Sequence, residues 1–277
     1  MKSPAIPITD DHIHIDPVNG RGIEAAKDFS RAGGTHIFLV SKPSWSLGVF
    51  PTTGDDYRRV FDETIRVAGL VAEAAGIAVF PVLGVHPAEI GKLAERMPLD
   101  QAAELMKSGL DCAAGYVREG SAVALKSGRP HYPVDDVVMA ASNDVLFHAL
   151  SLAADCSCAL QIHAETGSCG DVVGMAQRAG VPVERVIKHY ATPDTPLHPS
   201  VIAKHEGIPE LVRSRRPFTM ESDYMDENSR PGAVIGPKSV PRYTLKLLES
   251  GTITADDCFR IHAETVGRVY GVEIRLG

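Results

Sequence analysis

Tryptophan occurs once in this chain, at Trp45, and aromatic residues make up only 6% of it. No uninterrupted apolar run reaches the roughly 18 residues of a membrane span, and the opening MKSPAIPITDDHIH holds no apolar signal core. The expectation is a cytoplasmic protein with no membrane partner. Low-complexity segments, short repeats and heptads are also missing, which excludes a disordered tail, a collagen-like chain and a coiled coil. No GxGxxG follows the first strand candidate, which argues against a dinucleotide-binding sheet. Positive charge is in deficit: 28 Lys and Arg against 35 Asp and Glu leave −7, a poor balance for coating nucleic acid. The five cysteines (Cys112, Cys156, Cys158, Cys169 and Cys258) are an odd number without CxxC spacing, so free thiols are expected rather than a disulfide frame.

What is present is alternation. Short β-branched runs at 6–15, 35–40, 78–85, 122–125, 159–163, 186–189, 201–203 and 218–221 are followed by amphipathic stretches such as 55–75, 135–154 and 171–179. Strand–helix alternation implies a parallel sheet with helical crossovers. Eight units in 277 residues predict an α/β fold, a single (β/α)8 TIM barrel spanning residues 1–277 as one domain, with an open doubly wound sheet as the alternative. In such a barrel the site lies at the C-terminal strand ends.

Those ends carry the chemistry. The first strand finishes Asp11-His12-Ile13-His14, and residues two apart in a strand share a face, so His12 and His14 form a potential chelate. The fourth ends in Lys126, the fifth in His163, the sixth in His189, and the eighth runs through Glu221-Ser222-Asp223. Four imidazoles and a carboxylate at one end of a barrel point to a metal site.

At these residues the chain resembles the amidohydrolase superfamily, and within it the TatD-like hydrolases. The resemblance is carried by DDHIH at 10–14, GVHPAE at 84–89, IHAE at 162–165, KHY at 188–190 and ESD at 221–223. It departs from the TatD pattern where Lys126 replaces a bridging glutamate. An ammonium has no lone pair for a metal, whereas a lysine carboxylated by CO2 does, as in phosphotriesterase-like members. The resemblance therefore implies two divalent ions, with zinc favoured over manganese, iron, cobalt or nickel, and a carbamate on Lys126. His12, His14, Lys126 and Asp223 would hold the buried ion and Lys126, His163 and His189 the other. A bridging hydroxide would attack, with Asp223 as the catalytic proton acceptor and donor. The alternative is an ordinary Lys126 paired with Asp223 in a one-metal site.

Candidate substrate contacts are His86, Arg129, His131, Trp45 as a lid over the mouth, and His205. Glu165 is read either as a partner orienting an imidazole or as a solvent-facing loop residue. The second His-Ala-Glu-Thr, at 262–265, falls in an amphipathic stretch, so His262 is expected on a helix surface. Cys169 is read as a spectator, and Arg213, Arg215 and Arg216 are assigned to the opposite, stability face. The mouth cations are few (Lys42, Arg129, Arg230 and Lys238), and loop eight opens with Asp223, Asp226 and Glu227. This favours a small-molecule anionic substrate, an ester, phosphoester or cyclic amide clamped by Arg129. A TatD-type deoxyribonuclease or phosphodiesterase is the alternative, with nucleic acid possible as partner. A deaminase is disfavoured, because Glu165 follows His163 by two residues where that chemistry uses three. A non-catalytic metal- or ligand-binding barrel is a further alternative. The sequence does not specify an oligomeric state.

Overall fold

The computed structural model describes residues 6–230 and 234–276. Residues 1–5, part of the stretch read for an export signal, lie outside them. Nine strands are present: β1 (Thr9–His14), β2 (His36–Val40), β3 (Ala78–Gly84), β4 (Ala124–Gly128), β5 (Ala159–His163), β6 (Val186–Lys188), β7 (His198–Ile202), β8 (Thr219–Glu221) and β9 (Tyr224–Met225). They form one sheet in the order β8-β7-β6-β5-β4-β3-β2-β1-β9. Within it β1 pairs in parallel with β2, β3 with β4, β4 with β5, β5 with β6 and β7 with β8, as β/α crossovers require. All eight predicted strands are found, and the α/β parallel-sheet class is the one observed. The chain leaving β8 returns to β1: Asp223 donates its backbone N–H to the His12 carbonyl at 3.0 Å, and β9 pairs with Ile13 and His14.

The helices lie between the strands. They are α1 (Ile23–Arg31), α2 (Arg58–Ala75), α3 (Glu89–Ala94), α4 (Leu99–Arg118), α5 (Asp136–Asp155), α6 (Asp171–Ala179), α7 (Ile208–Arg213), α8 (Ser239–Glu249), α9 (Ala255–Phe259) and α10 (Thr265–Tyr270). Asp135 caps α5 by accepting from the Val138 N–H at 2.8 Å. Thr254 and Asp257 form a reciprocal capping box that starts α9. One helix, α5, is long and apolar enough by length and composition to cross a membrane. Ser, Asn, Asp and His interrupt its apolar residues, so it contains no uninterrupted apolar run of that length. Its buried face, Val145, Leu146, Ala149 and Leu150, packs in the same core as Leu125 of β4 and Leu160 of β5.

The chain divides into two compact units. One comprises Met1–Leu39, Val67–Phe80 and Pro199–Gly277; the other comprises Val40–Arg66 and Pro81–His198. The first holds two apolar clusters, one around Ile8, Val201, Met220 and Ile261, the other around Ile13, Phe29, Leu39 and Val71. The second holds one large cluster, which includes Tyr57, Phe61, Leu110 and Leu146.

Candidate metal centre

In the first unit, β1 is buried along its whole length, and its register against β2 shifts between Asp10 and Ile13. Such an irregularity re-aims side chains next to a site. Here the His12 and His14 rings stand edge to face at 5.1 Å on one side of the strand. Asp223 completes a trio: the ligand atoms of His12, His14 and Asp223 lie within 4.8 Å of one another. The Asp223 carboxylate is 3.8 Å from His12 Nε2. Asp223 has φ 46, a left-handed conformation that a non-glycine residue holds only when its surroundings impose it. The imposing contact is the bond from its N–H to the His12 carbonyl.

Glu221 went unassigned in the sequence reading. Its carboxylate comes within 4.8 Å of a His12 ring nitrogen, and it is fully buried. Ser200 Oγ sits 2.5 Å from Asp11 Oδ1 and 2.6 Å from Glu221 Oε2. The one hydroxyl thus bridges two buried carboxyl groups. Burial pushes Asp11 up to about 6, against the hydrogen bonds from Ser200, Thr219 and Tyr270. Asp10 is pushed by burial to about 8, and its Oδ1 accepts the N–H groups of His12 and Ser222. The acidic pair preceding His-x-His was the available signal: Asp10 pins the strand that presents the imidazoles.

Asp226 corrects an expectation. It is not a mouth acid but fully buried, accepting from the backbone N–H groups of Asp16, Arg21 and Gly22 and from the Tyr224 hydroxyl. His262 corrects another. It lies in the π turn between α9 and α10 and is fully buried. His205 accepts from the Gly207 N–H at 2.9 Å, the geometry of a turn histidine.

In the second unit the imidazoles form a chain. His163 Nδ1 lies 2.6 Å from His189 Nε2, and His163 Nε2 lies 2.7 Å from His131 Nδ1. The His86 ring is 4.8 Å from that of His163, and the Trp45 ring is 6.3 Å from that of His86. Burial, then the charges of His86, Lys126, His131 and Lys188, hold His163 well below the ordinary histidine value, in the neutral form that ligates metal. Lys126 lies inside β4, buried, opposite Gln161 of β5. The strands approach closely here because Gly84 and Gly128 have no side chains. A Cβ at Gly84 would meet the Lys126 carbonyl at 1.8 Å, and one at Gly128, where φ is +152, would meet the His163 carbonyl at 1.8 Å.

Arg129 is placed differently from the expected clamp. Its guanidinium is buried and bonded to Glu165 through Nε at 2.8 Å and through Nη2. Asp171 accepts from Nη1 at 2.5 Å and from Nη2 at 3.0 Å, and Asn143 from Nη1 at 3.2 Å. A fork engaged on both edges has no free pair of donors for a substrate anion. The same contacts decide Glu165, which orients Arg129 rather than an imidazole.

Buried ring nitrogens beside a carboxylate, as in the His12, His14 and Asp223 trio, are a donor set that suits a divalent transition metal. The comparisons agree with that chemistry. A family model described as TatD related DNase matches residues 9–271. An uncharacterized protein of Methanocaldococcus jannaschii is 33% identical over 284 residues, covering 98% of each chain. Among solved structures, a TatD homologue from Escherichia coli K12 superposes with a TM-score of 0.65 at 17% identity, covering 96% of this chain and 98% of its own. A mutant PTE-like lactonase from Deinococcus radiodurans superposes with a TM-score of 0.61 at 13% identity, covering 96% and 95%. These neighbours share the TIM-barrel fold. The chain belongs to the TatD-related DNase family and is a metal-dependent hydrolase.

Proposed function

We propose that the protein is a two-metal phosphoester hydrolase whose water-derived nucleophile is managed by Asp223. The carrying observation is the buried His12, His14 and Asp223 trio with ligand atoms within 4.8 Å. His12, His14 and Asp223 would hold one ion and His163 and His189 a second, with Lys126, carboxylated to a carbamate, as a further ligand. The resemblance of DDHIH, IHAE, KHY and ESD to the TatD-like motifs supports the histidine and aspartate part of this grouping. When bound, such ions lower the pKa of water and polarise the substrate oxygen. Lys126 becomes a ligand when its neutral amine forms an N–C bond to CO2 and releases a proton. Asp223 accepts the proton of the attacking water and returns it to the leaving oxygen. Its strained backbone fixes the carboxylate beside His12.

Engagement of Arg129 by Glu165 and Asp171 removes the clamp on which a small free anion depended. This moves the phosphodiester reading forward. His86, His131, Trp45 and His205 remain candidate substrate contacts. The test is a metal count per chain together with hydrolysis of phosphodiesters and carboxyl esters. Asp223→Asn is expected to lower kcat at least ~10²-fold, the scale of a lost general base, while retaining much of the metal. Lys126→Ala should lose metal, with rescue by a small carboxylic acid and none by bicarbonate. Near-normal turnover of Asp223→Asn, or an unmodified ammonium at Lys126 in a chain holding two ions, would sink the corresponding assignment.

A further inference from the structure

Helix α8 carries its charges against the rules of helix stability. Lys238, Arg242 and Lys246 recur at four-residue spacing, so they stack on one face as two like-charged i,i+4 pairs. Two of the three lie at the helix N-terminus, whose partial positive charge disfavours cations, and no acidic residue occupies the first turn. Lys204, two residues past the end of β7, reaches the same place. These four side chains, with Gly236, Ser239 and Tyr243, line a recess of about 470 Å³. Only Lys238 has an ion pair, to Asp28 at 3.4 Å; Lys204, Arg242 and Lys246 have none among the described residues. In a chain of net charge −7, four cations gathered around one concavity repel each other with little internal compensation.

We propose that this recess docks the phosphodiester backbone of a single nucleic-acid strand. The stripe from Lys238 to Lys246 is about 12 Å long at the helical rise, more than one phosphate occupies, so it fits phosphates in series. Tyr243 interleaves an aromatic ring with the cations, the combination that holds single strands by charge and stacking. The recess lies at the C-terminal ends of β7 and β8, the end that also presents Asp223, so a strand seated here extends from the rim of the proposed site. The docking rests on the phosphoester reading only for the identity of the anion.

The experiment measures anisotropy of a short fluorescein-labelled, cleavage-resistant phosphorothioate oligothymidylate against the full chain over a salt series. Lys204→Gln/Arg242→Gln/Lys246→Gln is expected to weaken binding at least ~10-fold at low salt. It should also flatten the plot of log K against log salt by about 2, three contacts at roughly 0.7 each. Arg31→Gln/Arg66→Gln/Arg213→Gln, which removes the same charge from cations already paired on helices, should bind within about twofold of the unmodified chain. The proposal is overturned by an unmodified chain that does not bind the strand, by a recess variant with unchanged affinity and slope, or by equal loss in the control. Displacement of the strand by inorganic tripolyphosphate at equal phosphate concentration also overturns it and assigns the recess to free polyphosphate. Hydrolysis of bis(p-nitrophenyl) phosphate by the unmodified chain is scored separately, so failure of the hydrolase reading leaves strand binding to be judged by itself.

Discussion

The tetrapeptide His-Ala-Glu-Thr occurs at 163–166 and again at 262–265, and the two copies divide their work in opposite ways. In the first, the histidine ends β5 facing His131 and His189, the glutamate holds Arg129, and the threonine is exposed. In the second, the threonine is buried, the glutamate is exposed, and the histidine is sealed in the core. There His262 Nδ1 accepts the Thr9 N–H at 3.1 Å, and Nε2 lies 3.1 Å from the Thr244 hydroxyl. Nδ1 also lies 3.2 Å from the Thr9 carbonyl, so either neutral tautomer finds a partner at both ring nitrogens. Both imidazoles are kept below the ordinary histidine value, first of all by burial. Burial and local sequence therefore do not separate a metal ligand from a structural histidine. The neighbours do: one ring meets other ring nitrogens, the other meets two threonines.

The strongest way to break this contrast is to remove each ring. His163→Ala should lower metal-supported turnover at least ~10²-fold while leaving the unfolding midpoint in urea of the metal-free protein nearly unchanged. A variant retaining full metal and rate would make His163 as structural as His262. His262→Ala should do the reverse. It leaves the Thr9 N–H and the Thr244 hydroxyl without their buried partner and opens a cavity, a loss of roughly 3 kcal/mol by urea unfolding. Turnover per folded molecule should stay within about twofold. A fall in kcat without a fall in stability would move His262 into the site.

The structural copy also predicts a pH signature. His262 has its value lowered from 6.5 to about 4 in the folded chain. As pH falls below 6.5 the unfolded ring takes up a proton that the folded ring refuses. Stability from this group is therefore complete above about 6.5 and is lost progressively down to about 4. Between pH 7 and pH 5 the loss amounts to about 2 kcal/mol. It is read as the difference between the wild-type and His262→Gln stability curves, so that Asp10 and Asp11, whose shifts run the other way, cancel. Parallel curves would show that the folded ring titrates as the unfolded one does and that burial does not lower its value.

What was legible in the sequence follows the same division. Periodicity placed β5 and α6 at their observed bounds, and the strand-end histidines were found because alternation in a strand states which residues share a face. Partners from distant segments were not legible. Nothing local announces that Arg129 meets Asp171 42 residues on, or that Thr9 meets His262 across 253. The apolar spacing of the C-terminal stretch was read at the α-helical period, but residues 260–264 take a π turn. That wider turn helps shift which residues face inward, and it places His262 in the core. Asp226 was misread as a mouth acid because its role is to accept backbone N–H groups, which leave no mark in the sequence.

The smallest expected effects are at the two glutamates, and they complete the contrast. Burial alone would raise the Glu165 carboxyl, but the hydrogen bonds and charge of Arg129 hold it below the usual carboxylate range. Glu165→Gln keeps the shape and removes the charge, leaving the buried guanidinium to Asp171 and Asn143. The expected cost is about 1 kcal/mol, because Glu165 is itself partly solvated and Asp171 continues to neutralise the guanidinium. Arg129→Ala should cost more in stability than Glu165→Gln, yet raise KM for an anionic substrate by no more than about twofold, since the fork already faces two carboxylates of its own chain. Glu264, exposed in the second copy, should tolerate Gln within about 0.5 kcal/mol. Chemical denaturation of the three variants beside the parent ranks them directly. If Glu264→Gln cost as much as Glu165→Gln, the two copies would not differ at their glutamates. A large rise in KM for Arg129→Ala at unchanged stability would restore Arg129 as the substrate clamp.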